Sequence, residues 1–158
     1  MAITVTTKWI YPPTAPLSGL HHRGVVNFTA NATDGTNEAD VVKVDRSAIV
    51  CTNGLAPKKI AIMKIQYHIV NFEIQLYWEE AGGDETICFL SAGVGTAFNT
   101  VAGEFDWSKK GGMIPPAAPG VAGDGDIVLS TAGAADYSSY NITLEMKFKP
   151  YKDGETVI

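Results

Sequence analysis

The amino-acid sequence predicts a single all-β domain, a β-sandwich of about eight strands joined by long loops rich in proline and glycine. Apolar and polar residues alternate along most of the chain, which is the pattern of strands with one buried face. Turn residues separate the alternating segments, and no segment of ten residues carries a helical apolar stripe. The 158 residues suffice for one domain, residues 1–158, with a core of its own.

The clearest predicted strand lies near the C-terminus, between Tyr140 and Lys149. Every second residue is apolar and the residues between them are polar, whereas a helical period would mix the two on one stripe. Pro150 has no amide hydrogen with which to continue a ladder, so the strand is predicted to end there. The predicted buried positions are Tyr140, Ile142, Leu144, Met146 and Phe148.

A longer alternating run extends from Lys58 to Glu80 and changes phase near its middle. Apolar residues occupy odd positions from Ala61 to Ile69, and even positions from Val70 to Trp78. A shift of one residue turns every following side chain to the opposite face. The sequence therefore predicts either a β-bulge or a corner between two sheets near residues 69–71.

Shorter segments bounded by turn residues supply the other predicted strands. A turn or short helix is predicted around Gly95–Val101, where alternation is absent. The remaining predicted strands are Ile3–Trp9, Gly24–Ala32, Ala39–Arg46, Thr86–Ser91 and Asp126–Thr131.

Two proline-rich segments fit neither a strand nor an ordinary turn. Ile10–His22 contains three prolines and makes residues 1–23 a candidate extended N-terminal arm. Ser108–Gly125, which reads SKKGGMIPPAAPGVAGDG, is predicted to be a long apolar loop at residues 108–125. Proline holds such segments extended, and an extended apolar segment needs a surface to cover it. We expect that surface to be the domain's own sheet or a neighbouring subunit.

The composition describes an acidic chain with enough apolar residues to fold. Hydrophobic residues make up 46% and charged residues 18%, and the formal net charge is -5. This charge, with Lys and Arg scattered along the sequence, argues against nucleic acid or a membrane as partner, because phosphates attract a basic surface. The N-terminus lacks a signal-peptide pattern and no apolar run approaches the ~20 residues of a membrane span. We expect synthesis in the cytoplasm.

No histidine or cysteine pattern predicts a metal or a nucleophile. His21 and His22 are adjacent, so on an extended chain they point to opposite sides, and His68 has no evident third ligand. Cys51 and Cys88 are predicted to be buried free thiols, although a disulfide stays open if their strands are neighbours. We expect no metal and no cofactor.

Carboxylates are the remaining candidates for catalysis. A pair of them could act as the acid and nucleophile of a glycosidase. Clustered acids beside two glycines are, however, typical of a solvated hairpin end, and we predict no catalytic residue and no enzyme activity. The acids considered are Glu79, Glu80, Asp84, Glu85, Glu104 and Asp106.

Aromatic and proline residues are the candidates for binding. Trp9 and Trp107 flank the irregular segments, whereas Trp78 lies on the buried phase of its strand. Tyr and Trp are favoured at protein interfaces and could equally form a platform on which a sugar stacks. The predicted protein-binding residues are Trp9, Tyr11, Pro12, Pro13, Trp107, Met113, Ile114, Pro115 and Pro116.

Two C-terminal segments carry a pattern beyond simple alternation. Residues 125–131 read GDIVLST and, after Gly133, residues 140–147 read YNITLEMK. This arrangement resembles the ending of small virion proteins from tailed bacteriophages, in which a G-D-I-x-L-x-T strand precedes a final alternating strand. Those proteins include capsid decoration, or cement, proteins with jelly-roll-like folds.

The resemblance implies a jelly-roll-like sandwich that binds the major capsid protein on the outer capsid surface and stabilises the shell. It further implies a homo-oligomer, trimer or dimer, made in the host cytoplasm and located on the virion. The alternative is a carbohydrate-binding or receptor-binding β-sandwich module of a virion or secreted assembly, since one fold serves several functions. A third reading, a hydrolase or isomerase of cupin type, would require a metal.

Overall fold

Two antiparallel sheets pack face to face as a β-sandwich. The computed structural model describes residues 3–11, 23–51, 54–93, 99–115 and 124–156. Within them the strands are β1 (Ile3–Tyr11), β2 (Arg23–Ala32), β3 (Val41–Val44), β4 (Lys59–Val70), β5 (Glu73–Trp78), β6 (Glu85–Ser91), β7 (Thr100–Asp106), β8 (Ile127–Ala132) and β9 (Ser139–Lys149). The first sheet has the order β1-β2-β9-β4-β7 and the second has the order β3-β8-β5-β6.

The core lies between the sheets and is built by the alternating residues. Phe28 of β2 and Ile65 of β4 enter it from the first sheet, and Leu76 and Leu129 enter it from the second; all four are 0% exposed. Complete burial of each such side chain contributes about 1.5–3 kcal/mol. The five positions predicted to be buried in β9 are each at most 2% exposed, which confirms that prediction.

The phase change in the long central run is a corner between sheets. β4 belongs to the first sheet and β5 to the second, and Asn71 between them has a φ of 55°. The Asn71 amide donates to the Asn99 carbonyl at 2.9 Å, and its side-chain oxygen accepts from the Asn99 amide at 2.8 Å. Of the two predicted alternatives, the corner is confirmed.

A bulge occurs as well, but earlier in β4. The pairing of β4 with β9 shifts register between Ile62 and Lys64, so Ile60 and Ile62 face the core before the shift and Ile65 faces it afterwards. Ala61 and Met63, predicted to share the face of Ile65, lie on the outer face instead. The bulge could not be predicted from the sequence because both side chains are apolar. Both are also buried on the outer face, at 0% and 9% exposure.

β7 is the strand that the sequence did not predict. Thr100 and Val101 begin this strand, so the predicted turn or short helix around Gly95–Val101 is wrong for those two residues; residues 94–98 lie outside the described ranges. Gly103 interrupts the alternation for a steric reason. A Cβ atom there would lie 2.5 Å from the hydroxyl of Tyr67, which faces it across the β4–β7 pair.

The two proline-rich segments are partly integrated into the first sheet. Residues 3–11 form an edge strand on β2, which confirms the strand predicted at Ile3–Trp9 and shows that this part of residues 1–23 is not a separate arm; residues 12–22 are not described. In the predicted loop 108–125, Ser108–Lys110 form a 3-10 turn and Met113 pairs with Ile62. Residues 116–123 lie outside the described part of the chain.

The corner at Asn71 provides a test of the fold. We expect Asn71→Ala to lower the free energy of unfolding by about 2–3 kcal/mol, because alanine resists the left-handed conformation and the Asn99 amide loses its acceptor. Asn71→Gly keeps the backbone conformation accessible and should cost only about 1 kcal/mol. Urea unfolding measures both values. Equal losses in the two variants would contradict a strained corner.

Candidate protein-binding surface

The predicted binding residues that the structure describes lie at one end of the first sheet, on its two opposite edges. A row of paired residues starts at Trp9 on β1, crosses β2, β9 and β4, and ends at Phe105 on β7. Four strand spacings place these edges about 19 Å apart. Pro12, Pro13 and Pro116 lie outside the described residues, as does the side chain of Tyr11.

Trp9 packs mainly against its own domain. It is half-buried against the core, and a Cβ atom on Gly24 would lie 3.0 Å from its ring and 2.9 Å from the ring of Phe148. The register of β1 shifts between Trp9 and Tyr11, and Ile10 at this irregularity is 59% exposed. Ile10, which was not among the predicted binding residues, is therefore more exposed than Trp9.

Trp107 is likewise held by neighbouring aromatic rings. Its ring stacks on Phe105 with centroids 5.5 Å apart, and Phe105 stacks on Tyr67 at 5.7 Å. The Trp107 amide donates to the carbonyl of Met63 at 2.9 Å. This row closes the core at the β7 edge, so Trp107 has a structural role whatever else it contacts.

The chain after Trp107 folds back onto the first sheet. Gly112 has a φ of 89° and lies directly over Ala61 and Met63, where a Cβ atom would come within 2.7 Å of the Met63 sulfur. Met113 and Ile62 exchange two backbone hydrogen bonds of 2.7 and 2.8 Å. Pro115 is buried and Ile114 is 41% exposed. The described part of the predicted loop thus rests on its own sheet and exposes Ile114.

The fold gathers the basic residues that are scattered in the sequence. Ten of the twelve Lys and Arg side chains lie in strands of the first sheet or in residues 58, 108–113 and 150–156, and five acids lie in the same parts of the chain. The other two basic residues and twelve acids belong to the second sheet and the loops around it. The ten are Lys8, Arg23, Lys58, Lys59, Lys64, Lys109, Lys110, Lys147, Lys149 and Lys152.

Two pairs of these basic residues face each other across neighbouring strands, which is unfavourable in the isolated domain. Arg23 lies directly opposite Lys147 in the β2–β9 pair, and Lys59 lies directly opposite Lys149 in the β4–β9 pair. Like charges facing each other across strands destabilise a sheet. By strand alternation these four side chains and Lys8 share the outer face. We call these five residues the basic patch; Arg23, Lys147, Lys149 and Lys8 are exposed and Lys59 is half-buried.

The two basic residues of the second sheet are buried and paired. Lys43 forms an ion pair with Glu38, which also accepts a hydrogen bond from the hydroxyl of Tyr140. Arg46 donates from Nε to the Asp124 carbonyl at 2.8 Å and from Nη1 to the Pro57 carbonyl at 2.9 Å. Neither cation therefore reduces the negative charge on the outer surface of this sheet.

Burial shifts the pKa values of the groups in this half of the molecule. Burial, and then the hydrogen bond to Glu38, raise the pKa of Tyr140 above its ordinary value. Burial and the hydrogen bond to Asp40 raise the pKa of Tyr77 to about 12. Burial raises the pKa of Asp126, although the Arg46 amide donates to its carboxylate at 2.8 Å.

The fold divides the carboxylates considered for catalysis into two groups on different sheets. Glu104 and Asp106 lie on β7, while Glu79, Glu80, Asp84 and Glu85 surround the β5–β6 turn in the other sheet. His68 is exposed on β4, and His21 and His22 lie outside the described residues. In the described ranges, no three His, Cys, Asp or Glu side chains lie close enough to hold a metal ion.

Both cysteines are free, as predicted from the sequence. Cys51 is buried and Cys88 on β6 is half-buried. Burial raises the pKa of the Cys88 thiol to about 12 and also raises that of Cys51. At neutral pH both are protonated, and a protonated thiol is a poor nucleophile.

No helix in the described ranges is long and apolar enough to cross a membrane.

The raised tyrosine pKa values predict a loss of stability at alkaline pH. A phenol whose pKa is higher in the folded than in the unfolded chain stabilises the fold below the unfolded value of 10.0. That contribution is lost as the pH rises from 10 towards 12. We expect the free energy of unfolding to decline over this interval, and the Tyr77→Phe/Tyr140→Phe variant to decline less. An identical decline in both proteins, measured by urea unfolding, would rule out this linkage.

Comparisons with known proteins leave the function to be argued from this geometry. No protein-family model, no curated protein and no solved structure matched the chain. The surface that combines unbalanced charge with exposed apolar side chains, namely the basic patch with Ile10 and Ile114, is the candidate site.

Proposed function

We propose that this chain is a structural virion protein that binds the outer surface of a capsid, contacts the major capsid protein and stabilises the shell. The observation that carries the proposal is the basic patch, in which two pairs of like charges face each other across strands. Such an arrangement destabilises the free domain and becomes favourable when an acidic surface lies against it. Glu145 on the same face of β9 supplies one counter-charge, and docking there supplies further ones.

The neighbouring apolar residues support a protein surface as the partner. Ile10 and Ile114, at 59% and 41% exposure, border the same end of the sheet. Protein interfaces combine apolar with charged side chains, whereas phosphate binding requires charge alone. Nucleic acid and membranes are therefore not the partners proposed.

The C-terminal resemblance supports a capsid as the particular partner. Residues 125–131 form most of β8 and residues 140–147 lie in β9, so the resembling segments occupy both sheets. A protein that binds the assembled shell more tightly than loose subunits stabilises the shell by mass action. Each copy would need to bury on the order of 1,000 Å².

We also propose that the sandwich is a jelly roll. The sheets β2-β9-β4-β7 and β3-β8-β5-β6 contain eight strands, with β1 added at one edge. From β2 to β9 the chain changes sheet at every connection except that between β5 and β6. This order supports two interleaved Greek keys, the arrangement that defines a jelly roll.

Homo-oligomer formation, as a trimer or dimer, remains part of the proposal. In the described part of the chain, β1 and β7 each pair with a strand on one side only. An open edge presents backbone donors and acceptors to another chain. This feature supports self-association at the capsid surface.

Charge reversal tests the docking surface. We expect Arg23→Glu/Lys147→Glu/Lys149→Glu to reduce co-sedimentation with intact capsids from the natural source by roughly tenfold or more, because the ion pairs are replaced by repulsion. Binding of the parent chain should weaken near 1 M salt, where the Debye length is about 3 Å. The parent should band with capsids in hundreds of copies, by quantitative gel analysis of gradient fractions.

A matched variant controls for the number of changed charges. Glu79→Lys/Asp84→Lys/Glu85→Lys alters the β5–β6 turn in the second sheet and should bind capsids as the parent does. Point variants are preferable to deleting Lys110–Val121, which would remove the Met113–Ile62 pairing. Parental occupancy by the basic-patch variant, or binding of the parent to DNA in place of capsids, would refute the proposal.

A further inference from the structure

A cavity of about 550 Å³ opens at the end of the sandwich opposite the basic patch. Its walls are the end of β2 with Thr33, and the turn between β8 and β9. The eight residue steps along β2 from Arg23 to Asn31 separate the two ends by about 26 Å. Ligand-binding clefts commonly have volumes of about 300–1,000 Å³. The lining residues are Asn31, Ala32, Thr33, Asp136, Tyr137, Ser138 and Ser139.

Tyr137 is held in an unfavourable state at the edge of this cavity. Its φ is 70°, in the left-handed region where a Cβ atom crowds the backbone, and its side chain is 74% exposed. The backbone strain opposes folding, and the exposed ring contributes almost no burial to offset it. Strained residues of this kind cluster at ligand sites, where the strain preorganises a contact.

The surrounding turn fixes the position of the tyrosine. Ser138, 1% exposed, donates from its amide to the Ala135 carbonyl at 3.0 Å, and its hydroxyl accepts from the Ala135 amide at 3.0 Å. The same hydroxyl donates to the Asn71 carbonyl at 3.1 Å. The Ser138 carbonyl accepts from the Ala32 amide at 2.8 Å. The ring of Tyr137 is thus presented on a rigid turn.

The chemistry of the walls selects the ligand. An amide, hydroxyl groups and the Asp136 carboxylate can donate to and accept from neighbouring hydroxyls of a ligand. The face of the Tyr137 ring is negative and favours the C–H face of a pyranose. No cation lines the described walls, and the Asp136 carboxylate repels phosphate and other anions. We propose that this cavity binds a neutral saccharide, with Tyr137 as the stacking platform.

A titration with defined sugars tests this inference. The probes are glucose, galactose, mannose and N-acetylglucosamine with their β-linked disaccharides, added to the isotope-labelled full chain and followed by amide NMR. We expect at least one sugar to shift the amides of residues 31–33 and 136–139 selectively, and inorganic phosphate to leave them unchanged. Absence of such shifts with every sugar, or equal shifts with phosphate, would overturn the proposal.

Substitution of Tyr137 separates a binding role from a packing role. Tyr137→Gly should weaken sugar binding at least tenfold, while the melting temperature rises by a few degrees because glycine adopts this φ without strain. Tyr137→Asn, which also tolerates the conformation, provides a second variant. Phe89→Ala removes another exposed aromatic residue, on β6, and should leave sugar binding unchanged. Unaltered sugar affinity in both Tyr137 variants would refute the proposal.

The saccharide site and the capsid-docking surface can fail independently. The Tyr137 variants leave the basic patch intact, so we expect them to co-sediment with capsids as the parent does. The basic-patch variant should in turn bind sugar with parental affinity. Loss of both activities in either variant would contradict two separate sites.

Discussion

The strict two-residue period of the pleat is the constraint on which the rest of this structure depends. β4 runs through the middle of the first sheet between β9 and β7, so a single-residue slip in it turns its own following side chains to the other face and shifts its pairing with a neighbour. The chain inserts such a slip at Met63 and then leaves the sheet at Asn71. The bulge places the apolar side chains of Ala61 and Met63 on the outer face. The segment around Gly112 covers them, which explains why a proline-rich loop that needs an apolar surface finds one on its own domain.

Alternation predicts a strand only where one face is consistently apolar and the other consistently polar. β9 and β2 do, and their core positions follow from the sequence alone. β7 does not, because Gly103 must leave room for the Tyr67 hydroxyl contributed by β4. The bulge at Met63 was not predicted for a related reason. Where residues on both faces of a strand are apolar, the sequence does not show which of them face the core. Prolines after Tyr11 suggested an arm, although residues 3–11 complete the edge of the first sheet. In each case the deciding contact comes from a residue distant in sequence.

The exposure of the candidate binding residues likewise depends on contacts between segments distant in sequence. Trp9 and Trp107 are conspicuous in the sequence, yet both are half-buried against the core, and the exposed side chains are Ile10 and Ile114. Basic residues appear scattered because consecutive segments belong to different sheets. The strand order then brings β1, β2, β4 and β9 together and leaves the acidic β5–β6 turn on the other side. The net charge of -5 is therefore the sum of a basic half around the first sheet and an acidic half around the second. Only the pairing register places Arg23 opposite Lys147.

The corner that fixes the strand phase also supports the strained turn at the far end of the molecule. Asn71 is itself in the left-handed region, and its backbone carbonyl accepts from the hydroxyl of Ser138, the residue next to Tyr137. Strain persists in a folded protein only where surrounding contacts over-determine the conformation. Here those contacts come from β2 through Ala32, from the β8–β9 turn through Ala135, and from the corner through Asn71. Relaxation of Tyr137 would break bonds to all three, so the core that sets the register also keeps an exposed aromatic ring in place.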